Sequence, residues 1–261
     1  MALQKFGANI NDTAVDGYTA LHAAALCDQV AAISALVDAG ADINALDRDQ
    51  NTPLHVASVE NNPGSVKALC ERGADKNRRN GTGRTPLHCA LTEPWSLRAA
   101  AALLDAGTDV RLRQSNADNF SALDLAAING RADLVRRVIQ RGANVDAVDA
   151  RGNTPLHHAA YWSQISAIDE LVRSGANVDA PDELGRRPLH RACRRQAFTA
   201  ALALLRYRAS VNAPDNRGQL PLHLATRVSR DNGSWVIVEL LLSADADERV
   251  VDSDGHTAAD V

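Results

Sequence analysis

The chain has 261 residues with 28 basic against 32 acidic side chains, a net charge of −4, so it lacks the overall basic excess of a protein that grips a phosphate backbone. Its longest apolar runs, such as Ala99 to Leu104, are far short of the ~20 residues that cross a bilayer, and the first eleven residues carry no apolar signal segment. Four cysteines with no CxxC pair argue against zinc, redox chemistry or a disulfide framework, and place the chain in the reducing cytoplasm or nucleus.

Taken in chain order, the sequence repeats itself. A tail, Gly7-Ala8-Asn9-Ile10-Asn11, leads to Thr19-Ala20-Leu21-His22, which recurs as Thr52-Pro53-Leu54-His55 and Thr85-Pro86-Leu87-His88. Ser121-Ala122-Leu123-Asp124, Thr154-Pro155-Leu156-His157, Arg187-Pro188-Leu189-His190 and Leu220-Pro221-Leu222-His223 follow, with a weak last copy at Thr257. Successive motifs begin 33, 33, 36, 33, 33, 33 and 37 residues apart, a period that signals stacked repeats. Thr or Ser before Pro predicts the start of a short helix, because the hydroxyl caps and Pro needs no N–H partner at the first position. About 21 residues later, Gly40, Gly73, Gly107, Gly142 and Gly175 mark the end of a second helix, with Arg208 and Asp245 in the same place. The residues before each carry the i, i+3, i+4 apolar stripe, as in Ile33/Leu36/Val37 and Ile168/Leu171/Val172. Gly17, Gly83, Gly152, Gly185, Gly218 and Gly255 announce tight turns just before the motifs.

These motifs resemble the ankyrin repeat over essentially the whole chain. The resemblance implies an all-α solenoid of stacked helix-loop-helix repeats joined by hairpin fingers. The division is a truncated tail at 1–13, repeats at 14–46, 47–79, 80–115, 116–148, 149–181, 182–214 and 215–251, and the start of another at 252–261. Incomplete copies at both ends lead us to expect part of a longer array or multidomain protein. The resemblance also implies that the slot histidines 22, 55, 88, 157, 190 and 223 hydrogen-bond within and between repeats. Equivalent helices about 8 to 10 Å apart could not bring such histidines onto one metal ion. His157 and His158 are adjacent and should point apart. Asp42, Asp47, Asp149, Asp182 and Asp215 fall in repeated turns and read as turn formers. No phosphate loop, serine elbow or H-E-x-x-H helix appears. Hence no catalytic residue, no cofactor and no metal is expected.

Function in a solenoid falls to the surface left after neighbours have packed. In the ankyrin family that surface is usually the concave one, made from turn tips and exposed positions of the first helix. Carried over, these positions pick out Tyr161-Trp162, the only adjacent aromatic pair in a chain that is 3% aromatic. Residues 149–214 hold nine basic against six acidic side chains, a net of +3, whereas 1–148 sum to −2 and 215–261 to −5. The sequence therefore predicts a partner-binding patch of Tyr161, Trp162, Arg151, Arg186, Arg194, Arg195 and Arg227. Residues 33 apart should be lateral neighbours, pairing Tyr161 with Arg194 and Trp162 with Arg195. The expected role is a non-catalytic scaffold or adaptor for a protein with an acidic contact surface. Alternatively, the chain is the targeting module of a larger enzyme or channel. Membrane and nucleic-acid partners are disfavoured, and oligomeric state is not encoded legibly.

Overall fold

A computed structural model describes residues 9–92, 97–232 and 235–261. Gly7 and Ala8 of the motifs above lie outside them. Among the described residues there are fourteen helices and no strand beyond two isolated bridges, and no helix is long and apolar enough to cross a membrane. The chain divides into two compact units, residues 1–122 and 123–261.

In the first unit the helices are α1 (Ala20–Leu26), α2 (Val30–Asp38), α3 (Pro53–Val59), α4 (Pro63–Glu71), α5 (Pro86–Thr92) and α6 (Leu97–Asp105). Odd-numbered helices pack on one another and even-numbered ones likewise, giving an inner and an outer layer. The apolar stripes close this core, with Ile33, Leu54, Val66, Leu69 and Leu103 fully buried. The second unit repeats the plan with α7 (Ala122–Ile128), α8 (Ala132–Gln140), α9 (Pro155–Tyr161), α10 (Ile165–Arg173), α11 (Pro188–Arg194), α12 (Phe198–Arg206), α13 (Pro221–Asn232) and α14 (Val236–Ser243). Here Leu156, Ile168, Leu171, Leu189 and Leu204 are inaccessible. The 37-residue spacing after Leu220 is accommodated partly by lengthening α13 to twelve residues, against seven for the other inner helices.

The slot histidines explain why each inner helix starts where it does. His55 Nδ1 accepts from the Thr52 N–H at 3.2 Å and meets the Thr52 hydroxyl at 2.9 Å, while its Nε2–H donates to the Arg84 carbonyl 29 residues on, at 3.1 Å. The pattern recurs at His22 to Asn51, His157 to Arg186, His190 to Gln219 and His223 to His256. One imidazole thus fixes a helix start and ties it to the next finger. Burial, partly offset by the backbone hydrogen bonds, pushes His55, His157 and His190 down to about 4. They are neutral structural groups.

The turn aspartates act as expected. Asp47 Oδ1 accepts from the Asn51 N–H at 2.7 Å, and Asp149, Asp182 and Asp215 receive two or more backbone N–H groups in the same way. Backbone bonds such as Arg48 N–H to Asp16 and Glu183 N–H to Arg151 join successive fingers within each unit. The second helices end at Gly40, Gly73, Gly107, Gly142 and Gly175 with φ between +76° and +93°. Arg208 and Asp245 adopt the same left-handed turn at φ +63° without glycine.

Candidate functional site

The predicted patch lies wholly in the second unit. It is built at the C-terminal end of α9. Tyr161 is the last helical residue and Trp162 the C-cap, and the chain then turns through Ser163 at φ +56° into α10. One repeat on, Arg195 is the C-cap of α11 and Gln196, at φ +55°, leads into α12. This registers the two helix-loop corners beside each other, with the Ser163 and Thr199 hydroxyls 3.0 Å apart.

The rings of Tyr161 and Trp162 meet edge-on, with centroids 5.4 Å apart and planes at 79°. The Arg195 guanidinium lies over both, 4.9 Å from the tyrosine centroid and 5.9 Å from the tryptophan. Trp162 is 50% exposed and Phe198 37%, and Tyr161, Trp162, Arg195 and Phe198 line an open groove of about 350 Å³. A half-exposed indole would rotate freely on its own. Here the ring of Tyr161 and the charge of Arg195 hold it, and each such contact is worth about 0.5 to 1 kcal/mol at an exposed site. The arrangement presents flat apolar surface with an adjoining cation whose N–H edges remain available to carboxylates.

The other predicted residues are distributed differently. Arg194 is exposed but is not the partner of Tyr161, because Arg195 takes both rings. The Arg194 charge acts instead on Arg186. Arg151 lies in the turn three residues before the cap of α9, at the opposite end of that helix from Trp162. Arg186 is turned inward: its Nε lies 3.7 Å from the buried Asp215 carboxylate, and burial, then the positive charges of Arg191 and Arg194, lower its pKa. Arg227 is exposed on α13. The structure therefore gathers Tyr161, Trp162 and Arg195 at one corner and leaves Arg151 and Arg186 at the finger end. Phe198 and Thr199 open the second helix α12, ahead of its buried apolar stripe, so that stripe does not signal them.

His158, next to slot residue His157, reaches in another direction to Asp149 at 3.0 Å. Burial opposes ionisation of Asp149, but hydrogen bonds from His158, Asn153 and the Arg151 and Asn153 N–H groups outweigh it and hold that carboxyl below the usual range. Asp252, Asp254 and His256 lie close together, yet the Asp252 carboxylate is occupied by the N–H groups of its own turn. The four cysteines form no disulfide, and burial pushes the Cys70 thiol up to about 11.

Comparison with known proteins agrees with this reading of the fold. A family model describing ankyrin repeats in three copies matches residues 1–80, 96–182, 123–215 and 167–252. Among solved structures, the chain resembles the human ASB11 ankyrin repeat domain with a TM-score of 0.75 and 26% identity, covering 87% of this chain and 98% of that one. The ankyrin repeat domain of Bcl-3, a member of the IkappaB protein family, aligns with a TM-score of 0.73 and 29% identity over 87% and 99%. Among curated proteins, a putative palmitoyltransferase, ZDHHC13 of Danio rerio, is 38% identical over 78 residues, 30% of this chain. The E3 ubiquitin-protein ligase XB3 of Oryza sativa subsp. japonica is 39% identical over 72 residues, 28% of this chain. The chain covers only 12% and 16% of the lengths of these two relatives.

Proposed function

The chain belongs to the ankyrin repeat family, a family of protein–protein interaction modules, and from that premise we propose that it is a non-catalytic scaffold or adaptor, with repeats bounded as the sequence divides them. Its partner would be another protein, with an acidic, partly apolar contact segment, met in the cytoplasm or nucleus. The observation that carries this is the exposed indole of Trp162, held between Tyr161 and Arg195 in an open groove. Aromatic and Arg side chains are the types that dominate binding energy at protein interfaces. The test compares proteins captured by the wild-type chain with those captured by Trp162→Ala, with melting temperatures measured in parallel. We expect specific partners to be lost, their affinity falling by about 2 kcal/mol or more, while the melting temperature hardly moves, because the indole is half outside the fold. Equal capture by both chains would refute the assignment.

A second reading rests on the relatives. Stretches of this chain match palmitoyltransferases and a ubiquitin ligase over small fractions of their length, which supports a recruiting module of a larger enzyme. On that reading, proteins held by the groove are substrates. Their modification in cells should fall when Trp162→Ala is introduced.

A further inference from the structure

The fingers of the second unit each carry one apolar side chain at the same exposed place. Four fingers open on the buried aspartates Asp149, Asp182, Asp215 and Asp252, and each accepts the N–H groups two and four residues on. Side chains alternate across an extended chain, so with the aspartate turned inward the residue before it faces out. Those residues are Val148, Pro181, Pro214 and Val251. Val148 is 50% exposed and Val251 52%, and both prolines are exposed.

Neighbouring fingers touch. The Glu183 N–H donates to the Arg151 carbonyl at 3.3 Å, the Asn216 N–H to the Leu184 carbonyl at 2.9 Å and the Ser253 N–H to the Arg217 carbonyl at 2.8 Å, the same link at each step. Because turn and link both repeat, the four apolar side chains form one row, spaced by the repeat at about 8 to 10 Å. The place itself does not demand an apolar residue. In the first unit the fingers opening on Asn80 and Gln114 have Arg79 and Arg113 there, whose guanidinium groups donate to the carbonyls of Gly83 and Asn119. Folding therefore does not dictate the choice, and apolar groups kept in water, in register along four consecutive fingers, mark a contact surface.

Charge and pitch define what fits the row. At the finger tips beside it, Arg151 and Arg217 are balanced by Glu183 and Asp254, all four exposed, so neither an acidic nor a basic segment is favoured over an uncharged one. A β-strand turns residues three apart to opposite faces. A polyproline II segment has three residues per turn and rises about 3.1 Å per residue, so every third side chain lies on one face, about 9 Å from the last. That spacing matches the row, one side chain to each finger.

We propose that an uncharged, proline-rich segment of a partner protein lies across these four fingers in the polyproline II conformation, setting an apolar side chain beside Val148, Pro181, Pro214 and Val251 at every third residue. Such a segment is already extended when free, so a shallow row holds it at little cost in ordering. The proposal shares with the proposed function only that the partner is a protein, and uses neither the aromatic groove nor an acidic contact.

The test is an NMR titration of the purified, isotope-labelled chain with a peptide of three Leu-Pro-Pro units closed by a fourth leucine, carried between Gly-Ser ends. Amide signals should shift around residues 147–152, 180–185, 213–218 and 250–255. A scrambled peptide of the same composition should bind at least about fivefold more weakly, a comparison that needs no variant. Pro181→Asp, inside the row, should weaken binding by about tenfold and Val148→Asp, at its end, by about threefold, with melting temperatures near that of the wild type. The affinity should hardly change between about 50 and 500 mM salt, since no charge contact is involved. Trp162→Ala should bind the peptide like wild type, so the row and the groove can fail separately. Equal binding of the scrambled peptide, shifts confined to other residues, undiminished binding by Pro181→Asp, or tighter binding of a helical peptide with leucine at every seventh position would each overturn the proposal.

Discussion

The second repeat, residues 47–79, and the sixth, residues 182–214, build the same helix pair from different chemistry. In the second, Thr52 gives a hydroxyl to the cap, His55 closes it, and Gly73 ends the outer helix at φ +88°. In the sixth, Arg187 has no hydroxyl to accept the amide of His190, and Arg208 occupies a left-handed turn that costs a side chain about 1 kcal/mol or more. Yet α11 begins in register, because the Arg187 N–H still reaches His190 Nδ1 at 3.1 Å. In these two repeats the imidazole is the shared part of the cap and the hydroxyl an addition. The sixth repeat also ties itself down with arginine: Arg191 donates to Asp182 at 2.7 Å and to Asn153, and Arg187 to the Pro214 carbonyl.

The largest expected effect bears on what the two repeats share. His55, His88, His157 and His190 are all lowered to about 4. Between that value and the ordinary 6.5 the unfolded chain binds more protons than the folded one. Their stabilisation is thus complete above about pH 6.5 and is lost as pH falls toward 4. At pH 5.5 the loss is roughly 1 kcal/mol for each histidine, several in sum. Denaturant midpoints at pH 7.5 and 5.5 measure it, and identical midpoints would contradict neutral burial.

Next comes the histidine itself. His190→Ala removes the acceptor for the Arg187 N–H and the donor to the Gln219 carbonyl, and leaves a void; two hydrogen bonds and a cavity amount to about 3 kcal/mol. His55→Ala should cost about 1 kcal/mol less, since the Thr52 hydroxyl can still accept from the residue 55 amide. Equal losses in the two variants would show that the hydroxyl contributes nothing.

The sequence made the fold legible because the repeat states each structural instruction many times: cap, stripe, terminating glycine. It made the site less legible, for two reasons. Lateral equivalence by 33 residues pairs Tyr161 with Arg194 and Trp162 with Arg195, but the guanidinium of Arg195 covers both rings, so Arg194 is not needed there. Charge summed over long segments also concealed local order: residues 1–148 are net negative, yet they contain the acid-free stretch 76–84.

The smallest effect decides which repeat is weaker. The sixth lacks a hydroxyl cap, about 1 kcal/mol, and strains Arg208, about another. Against this stands the Arg191–Asp182 pair, whose side chains are 16% and 1% exposed. Removing two charges from water offsets most of what such a pair gains, so its net contribution is small. The balance leaves the sixth repeat about 2 kcal/mol weaker, and in a stack whose stability is nearly a sum over repeats and interfaces it should open first. Backbone amides of residues 182–214 should accordingly exchange faster than those of residues 47–79. Arg208→Gly relieves the strained turn and should slow exchange in the sixth repeat by about fivefold, the equivalent of about 1 kcal/mol, without altering the second. Slower exchange in the wild-type sixth repeat than in the second would mean that the arginine network outweighs the missing cap.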